Sequence, residues 1–198
     1  MKNLQRREET RTSILKSAGQ CFAREGYDRI GVAEICRQAG VSKGAFYYHF
    51  KSKQAVLMEL LDIWLAKLEQ RLATAAADSQ GIPETLLKMS RMIKGLIQSD
   101  FKQAPVFLEL WTQASRDETV RQQTIATYTK YRRIFTGLIK RGISEGSLAD
   151  IDPVSGAQVI LSLASGIFLQ SLLDPEGTDW EKVAGDSIQI MLDGLKRR

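Results

Sequence analysis

The sequence is poor in the residues that most often carry chemistry, with one histidine, two cysteines and four prolines in 198 residues. Cys21 and Cys36 stand in no CxxC spacing and His49 is alone, so no cluster has the spacing of metal ligands. No metal and no cofactor is expected. A serine or cysteine nucleophile would lack a spare histidine, and no Gly-rich phosphate loop occurs, so an enzyme is not the expected class. In a reducing compartment the two thiols read as small core residues, with a redox pair as the alternative. Long apolar runs are also missing. The stretch 160–173 is interrupted by Ser162, Ser165, Gly166, Gln170 and Ser171, and it falls short of the ~20 residues of a membrane span. The start, MKNLQRREETR, has neither the apolar core nor the cleavage site of a signal peptide, which points to the cytoplasm. No segment alternates polar and apolar residues long enough to read as a strand.

What is present is an ordinary globular balance, 43% hydrophobic and 26% charged, with an uneven charge distribution. Residues 1–53 hold 11 Lys/Arg against 5 Asp/Glu, while residues 54–198 hold 17 against 18. The entire positive excess sits at the N-terminal end. Such a segment fits a polyanion, nucleic acid first and an anionic membrane surface second.

Helical periodicity runs through the chain. Ile14, Ala18, Cys21 and Phe22 mark a first helix over 10–25, ended near Gly26. Val32, Ile35, Cys36 and Ala39 form a short stripe stopped by Gly40, and Ser42 is placed to cap a second short helix over 43–50. Two short helices joined by a glycine-containing turn are the signature of helix-turn-helix. Ser52 can cap again before the stripe Val56, Leu57, Leu60, Leu61, Trp64, Leu65, Leu68 and Leu72, a long helix ending near Ala77. Further helices are expected at 83–99, 104–114, 118–145, 153–173 and 179–196. The fold class is all-α, about nine helices, with a DNA-binding domain at 1–53 and a second domain at 54–198.

The stretch GVAEICRQAGVSKGAFYYHFKSKQAVL, residues 31–57, resembles the DNA-binding domain of the TetR family of transcriptional regulators. The likeness rests on Ala39-Gly40-Val41-Ser42-Lys43-Gly44, on Tyr47-Tyr48-His49-Phe50 and on Lys51-Ser52-Lys53. It covers residues 8–60; beyond them only length and helix order agree. The resemblance implies a homodimer with residues 43–50 as the recognition helix on a partly palindromic DNA operator. Helix-turn-helix proteins read bases with the first residues of that helix, here Lys43, Gly44 and Ala45. Lysine suits guanine O6 or N7, and alanine suits a thymine methyl. Tyr47, Tyr48 and His49 occupy family positions that meet phosphates or neighbouring base edges, and Lys53 occupies a family phosphate-contact position. Phe46 and Phe50 lie four apart and read as core, packed on Ile14, Phe22, Ile35 and Val56. Two positions depart from the family pattern: Gly31 stands where Ser or Thr is common at the start of the second helix, and Ala45 where a hydroxyl is frequent. Arg6, Arg7 and Arg11 precede the first helix and read equally as DNA contacts or as a solvated face.

The resemblance makes the second domain a ligand-controlled switch. Trp64, Met89, Ile93, Phe107, Trp111, Tyr128, Tyr131, Phe135 and Phe168 are its candidate lining, for a small and mostly apolar effector, with core packing as the competing reading of each. Arg132 and Arg133 read as an anion contact or a solvated pair. The last two helices, 153–173 and 179–196, fit the family's dimerisation role, with Ala157, Ala164, Ser165 and Gly166 allowing close approach and the stripe from Trp180 to Leu195 supplying apolar area. The helix from Lys53 to Ala77 is the expected coupling path, tilting to change the separation of the two recognition helices. A repressor released by its effector is the leading function. An activator, or a DNA-binding structural protein without effector, uses the same fold.

Overall fold

The computed structural model describes residues 2–100 and 104–195, and the side chains of 5–92 and 108–195. Among the described residues the secondary structure is helical: α1 Lys2–Glu25, α2 Val32–Ala39, α3 Lys43–His49, α4 Lys53–Ala77, α5 Ile82–Asp100, α6 Ala104–Ala114, α7 Glu118–Ser144, α8 Pro153–Leu173 and α9 Trp180–Gly194. The all-α expectation holds. One boundary moves: α1 begins at Lys2, not near residue 10, because the leading Gln, Arg and Glu residues favour helix and no proline or glycine interrupts them. Arg6 and Arg7 therefore ride on α1.

The chain divides into two compact units. The first comprises Met1–Leu68 and Phe101–Arg121, the second Glu69–Asp100 and Gln122–Arg198. Helix α6 thus belongs with the N-terminal helices, and α1 packs against it. The core of the first unit gathers Ile14, Ala18, Cys21, Phe22, Ile35, Phe46, Phe50, Val56 and Leu57, with Leu60 packed on its edge. The boundary expected at residue 53 falls inside this core, because the apolar stripe of α4 starts by closing it. Both cysteines are buried free thiols, and burial pushes each thiol's pKa up, which suits core residues better than a redox pair.

In the second unit α5 and α8 both pack on α9, and the core joins Ile82, Leu86, Phe135, Ile139, Leu148, Ala157, Ile160, Ile188 and Leu192. Glu145 pins the start of α5 to the end of α7 by accepting from the Ile82 N–H at 2.9 Å and the Ser147 hydroxyl at 2.7 Å. Those hydrogen bonds hold its carboxyl below the usual glutamate range. Asp152 caps α8, and Pro153 follows at the first helical turn, where its missing N–H costs nothing.

The chain itself covers part of what the expected dimer helices offer. Ala157 is fully buried in the core, where Ile188 and Leu192 of the α9 stripe join it, and Ala184 is buried as well. The large apolar side chains left exposed on these two helices are Val154, Val159, Leu169 and, at 86% and 72% exposure, Leu173 and Ile190. Helix α8 also meets the length and composition of a membrane span, with a mean hydropathy of 1.6 over its most apolar window, one third of it buried. The polar interruptions of 160–173 do not prevent this, because the apolar stretch starts earlier, at Val154.

Candidate nucleic-acid interface

The turn between α2 and α3 depends on glycine. Gly40 takes φ 67°, in the left-handed region, its N–H donating to Arg37 O, while the Val41 N–H donates back to Cys36 O at 3.0 Å. These bonds satisfy carbonyls that the end of α2 leaves open. The Ser13 hydroxyl donates to Ala39 O at 3.1 Å, fastening the turn to α1. Ser42 starts α3, its Oγ accepting from the Ala45 N–H at 3.1 Å, and Ser52 caps α4 in the same way through the Ala55 N–H. Gly31, standing where a hydroxyl is common, caps α2 through backbone conformation alone, with no side-chain bond.

Helix α3 separates its rings. Phe46 and Phe50 are 0% and 4% exposed, whereas Tyr47 and Tyr48 are 56% and 62% exposed. Lys43 and Gly44 are exposed as well, and Ala45 and His49 half-buried. The buried phenylalanines meet Ile14, Phe22, Ile35 and Val56 in one core, as their spacing indicates. Tyr48 meets His49 edge-on at 5.0 Å. The guanidinium of Arg7 lies 5.0 Å from the centre of the Tyr48 ring, a neighbour that the sequence order does not reveal.

Lys53 is more deeply engaged than a phosphate contact requires. Its ammonium donates to Tyr27 O at 2.8 Å and Ile30 O at 3.0 Å, and sits 3.9 Å from the centre of the Tyr27 ring. Burial lowers its pKa below the usual lysine value, and Asp28 and Glu109 pull it part of the way back. The turn it grips is held from another side by the end of α6 and the residues after it: the Gln113 side-chain amide donates to Asp28 at 3.3 Å, and Arg116 stands 4.0 Å from the same carboxylate.

The candidate effector residues are not gathered into one unit. Trp64 and Trp111 lie in the first, half-buried and 55% exposed respectively. Met89, Tyr128, Tyr131 and Phe168 lie in the second, where Met89 packs on the core and Tyr131 and Phe168 are buried. Ile93 and Phe107 fall outside the side chains described. Sequence reasoning missed the polar partners of the two tyrosines. The Tyr131 hydroxyl donates to Glu69 at 3.2 Å, and Tyr128 pairs with Gln158. Burial and the Glu69 carboxylate both push the Tyr131 pKa up. Arg132 stacks 5.9 Å over the Tyr128 ring. No group of three or more possible metal ligands occurs among the described residues.

A glycine-turned helix pair, with a capped second helix whose polar and aromatic face points outward beside lysine, defines a helix-turn-helix DNA-binding protein. The comparisons make the class specific. A family model described as "Bacterial regulatory proteins, tetR family" matches residues 14–60, and one described as "BetI-type transcriptional repressor, C-terminal" matches residues 83–195. The chain belongs to the TetR family: it is a DNA-binding transcriptional regulator and not an enzyme. It is 24% identical over 199 residues to the transcriptional regulator UidR of Escherichia coli K12, covering 98% of this chain and 97% of that one. Among solved structures, a putative regulator of Saccharomonospora viridis in complex with choline superposes with a TM-score of 0.83 at 21% identity, covering 96% of this chain and 100% of that one. FadR of Bacillus subtilis in complex with stearoyl-CoA gives 0.82 at 22% identity, covering 93% and 98%. At such identities these structures speak for the fold alone.

Proposed function

We propose that this regulator is a repressor that binds a partly palindromic operator as a homodimer and leaves it when a small, mostly apolar molecule binds. The observation that carries the DNA reading is the division of α3, with Phe46 and Phe50 buried while Tyr47, Tyr48 and Lys43 face solvent. Lys43, Gly44 and Ala45 read base edges. Tyr47, Tyr48 and His49 hold phosphates or flanking bases, and Lys53 gives a phosphate the one N–H it does not spend on Tyr27 and Ile30. Half-sites then lie about 34–36 Å apart, or a multiple of that. Such a protein works where the chromosome is, in the cytoplasm.

The dimer reading is supported by the face α8 leaves uncovered. Val159, Ser162, Gly166, Leu169 and Leu173 follow one another at spacings of three and four, one helical stripe with small residues at its middle. Leu169 and Leu173 are exposed, and an apolar stripe of this kind is unusual on a surface that stays in water. A second copy of the same stripe would cover it in a four-helix arrangement with α9. The repressor reading is supported by the family model matched at residues 83–195. The effector reading rests on the buried aromatic and apolar side chains of the second unit, and on relatives whose structures hold choline or stearoyl-CoA. An effector acts by binding the released conformation better than the operator-bound one. Helix α4, shared by both units, is the element whose tilt would carry that preference to α3.

Selection of bound sequences from a random duplex pool tests this reading. The expected product is an inverted repeat, and Lys43→Ala should relax the choice at one position per half-site by ~1–3 kcal/mol. Recovery of no common sequence would leave a non-specific DNA-binding protein instead.

A further inference from the structure

The N-terminal arginines of α1 are not equivalent. Arg7 and Arg11 lie one turn apart on the same side of the helix. Arg11 is committed inward, with its Nη2 2.5 Å from Glu59 Oε1 and its guanidinium 5.3 Å from the centre of the Phe50 ring. Arg7 is exposed and stands over the outer ring of the recognition helix, 5.0 Å from the centre of Tyr48. No ion pair to Arg7 occurs among the described residues. Glu8 and Glu9 follow it in sequence, but adjacent positions on a helix do not face each other.

We infer that Arg7 is a phosphate-contacting residue of the DNA interface, positioned by the face of the Tyr48 ring, whereas Arg11 serves the fold. The inference rests on the DNA-binding reading of α3. A guanidinium over an aromatic face is held there by the ring's negative face. Its N–H donors lie in the guanidinium plane, so stacking leaves that edge open, and the charge persists at any working pH. Arg7 thereby extends the exposed surface of Lys43, Tyr47 and Tyr48 onto the first turns of α1. Tyr48 acquires a second task, positioning a cation as well as meeting DNA itself.

The test uses the full-length protein and a labelled mixed-sequence duplex of about 30 base pairs, enough for two half-sites and their flanks. Binding is followed by fluorescence anisotropy from about 50 to 200 mM salt. Arg7→Ala should flatten the slope of log K against log salt by about 1.8, about 0.9 for each subunit of the dimer, so that its affinity deficit shrinks ~12-fold across that range. Arg11→Ala should keep the wild-type slope. An unchanged slope in Arg7→Ala, with normal salt dependence in the wild type, overturns the inference and spares the DNA reading. Binding of the wild type that ignores salt overturns the DNA reading itself. For the positioning role, Tyr48→Phe should preserve the full cost of Arg7→Ala and Tyr48→Leu should reduce it. An equal cost in all three backgrounds refutes the part assigned to Tyr48.

Discussion

Replacing Lys53 by methionine keeps most of the side chain's length and removes only its ammonium, which makes it the sharpest probe of the first unit. The ammonium donates to two backbone carbonyls, at 2.8 and 3.0 Å, and lies against the Tyr27 ring. Hydrogen bonds from a charged donor contribute about 1.5–3 kcal/mol each, and an exposed cation–ring contact about 0.5–1 kcal/mol. Burial also charges the ammonium a desolvation cost, the main reason its pKa is lowered, so the low end of these ranges applies. One carbonyl, Tyr27 O, keeps a second donor in the Ile30 N–H at 3.2 Å, which softens the loss further. The net expectation is a destabilisation of about 2–3 kcal/mol, or roughly 5–10 °C in the midpoint for a chain of this length. Thermal unfolding followed by circular dichroism reads it directly. The same variant should flatten the salt dependence of DNA binding by about one unit per subunit of the proposed dimer, because the N–H that lysine offers a phosphate is gone. A midpoint within ~1 °C of wild type would refute the anchoring argument, since no partial loss of two charged hydrogen bonds is that small.

Two further outcomes follow from the second unit. Glu145→Gln keeps an acceptor for Ile82 and Ser147 but loses the charge, and should cost about 1 kcal/mol near pH 6. Because the folded carboxyl titrates below its ordinary value of 4.5, this advantage of wild type is present above that pH and disappears as pH falls through the lower folded value. Urea unfolding at several pH values checks the sign, and a gap that widens in acid would reverse the argument. Leu173→Glu together with Ile190→Glu puts charge on the uncovered apolar side chains without touching the core, so light scattering should report the proposed dimer becoming a monomer while circular dichroism shows unchanged helicity. A dimer that survives both changes must use another surface.

Much of the fold was legible because its signals are local. Gly40, Ser42 and Ser52 punctuate the helix-turn-helix by backbone rules that act within a few residues, and the four-residue spacing of Phe46 and Phe50 announced a buried face. The start of α1 was missed for want of an apolar stripe: its first turns are polar all round, and only helix propensity marks them. The interface was legible in part. Tyr47 and Tyr48 could be assigned outward from α3 alone, but the stacking of Arg7 on Tyr48 and the grip of Lys53 on Tyr27 join residues 41 and 26 positions apart, which no periodicity reports. For α9 the pattern was read correctly, and Ile188 and Leu192 show that this chain's own core takes up part of the stripe. An amphipathic stripe shows that one face is covered, and says nothing of whether the cover is the same chain or a second copy.

The turn from Tyr27 to Ile30 gathers long-range contacts from two helices. Lys53, at the first residue of α4, holds two of its carbonyls in a half-buried setting, whereas Gln113 at the end of α6 and Arg116 just after it meet Asp28 on the surface. The two grips differ in strength for a physical reason. Charged hydrogen bonds sheltered from water outlast an exposed pair 4.0 Å apart, which contributes about 0–1 kcal/mol. A shift of α4 at its N-terminal end therefore carries the turn, and with it the start of α2, because breaking the Lys53 contacts costs more than moving them. A shift of α6 meets the weaker link and can slip past Asp28 instead. Under the effector reading proposed above, this turn would pass a movement of α4 to α2 more readily than one of α6. Asp28→Ala should then leave both stability and DNA affinity within about 1 kcal/mol of wild type, while Lys53→Met alters both.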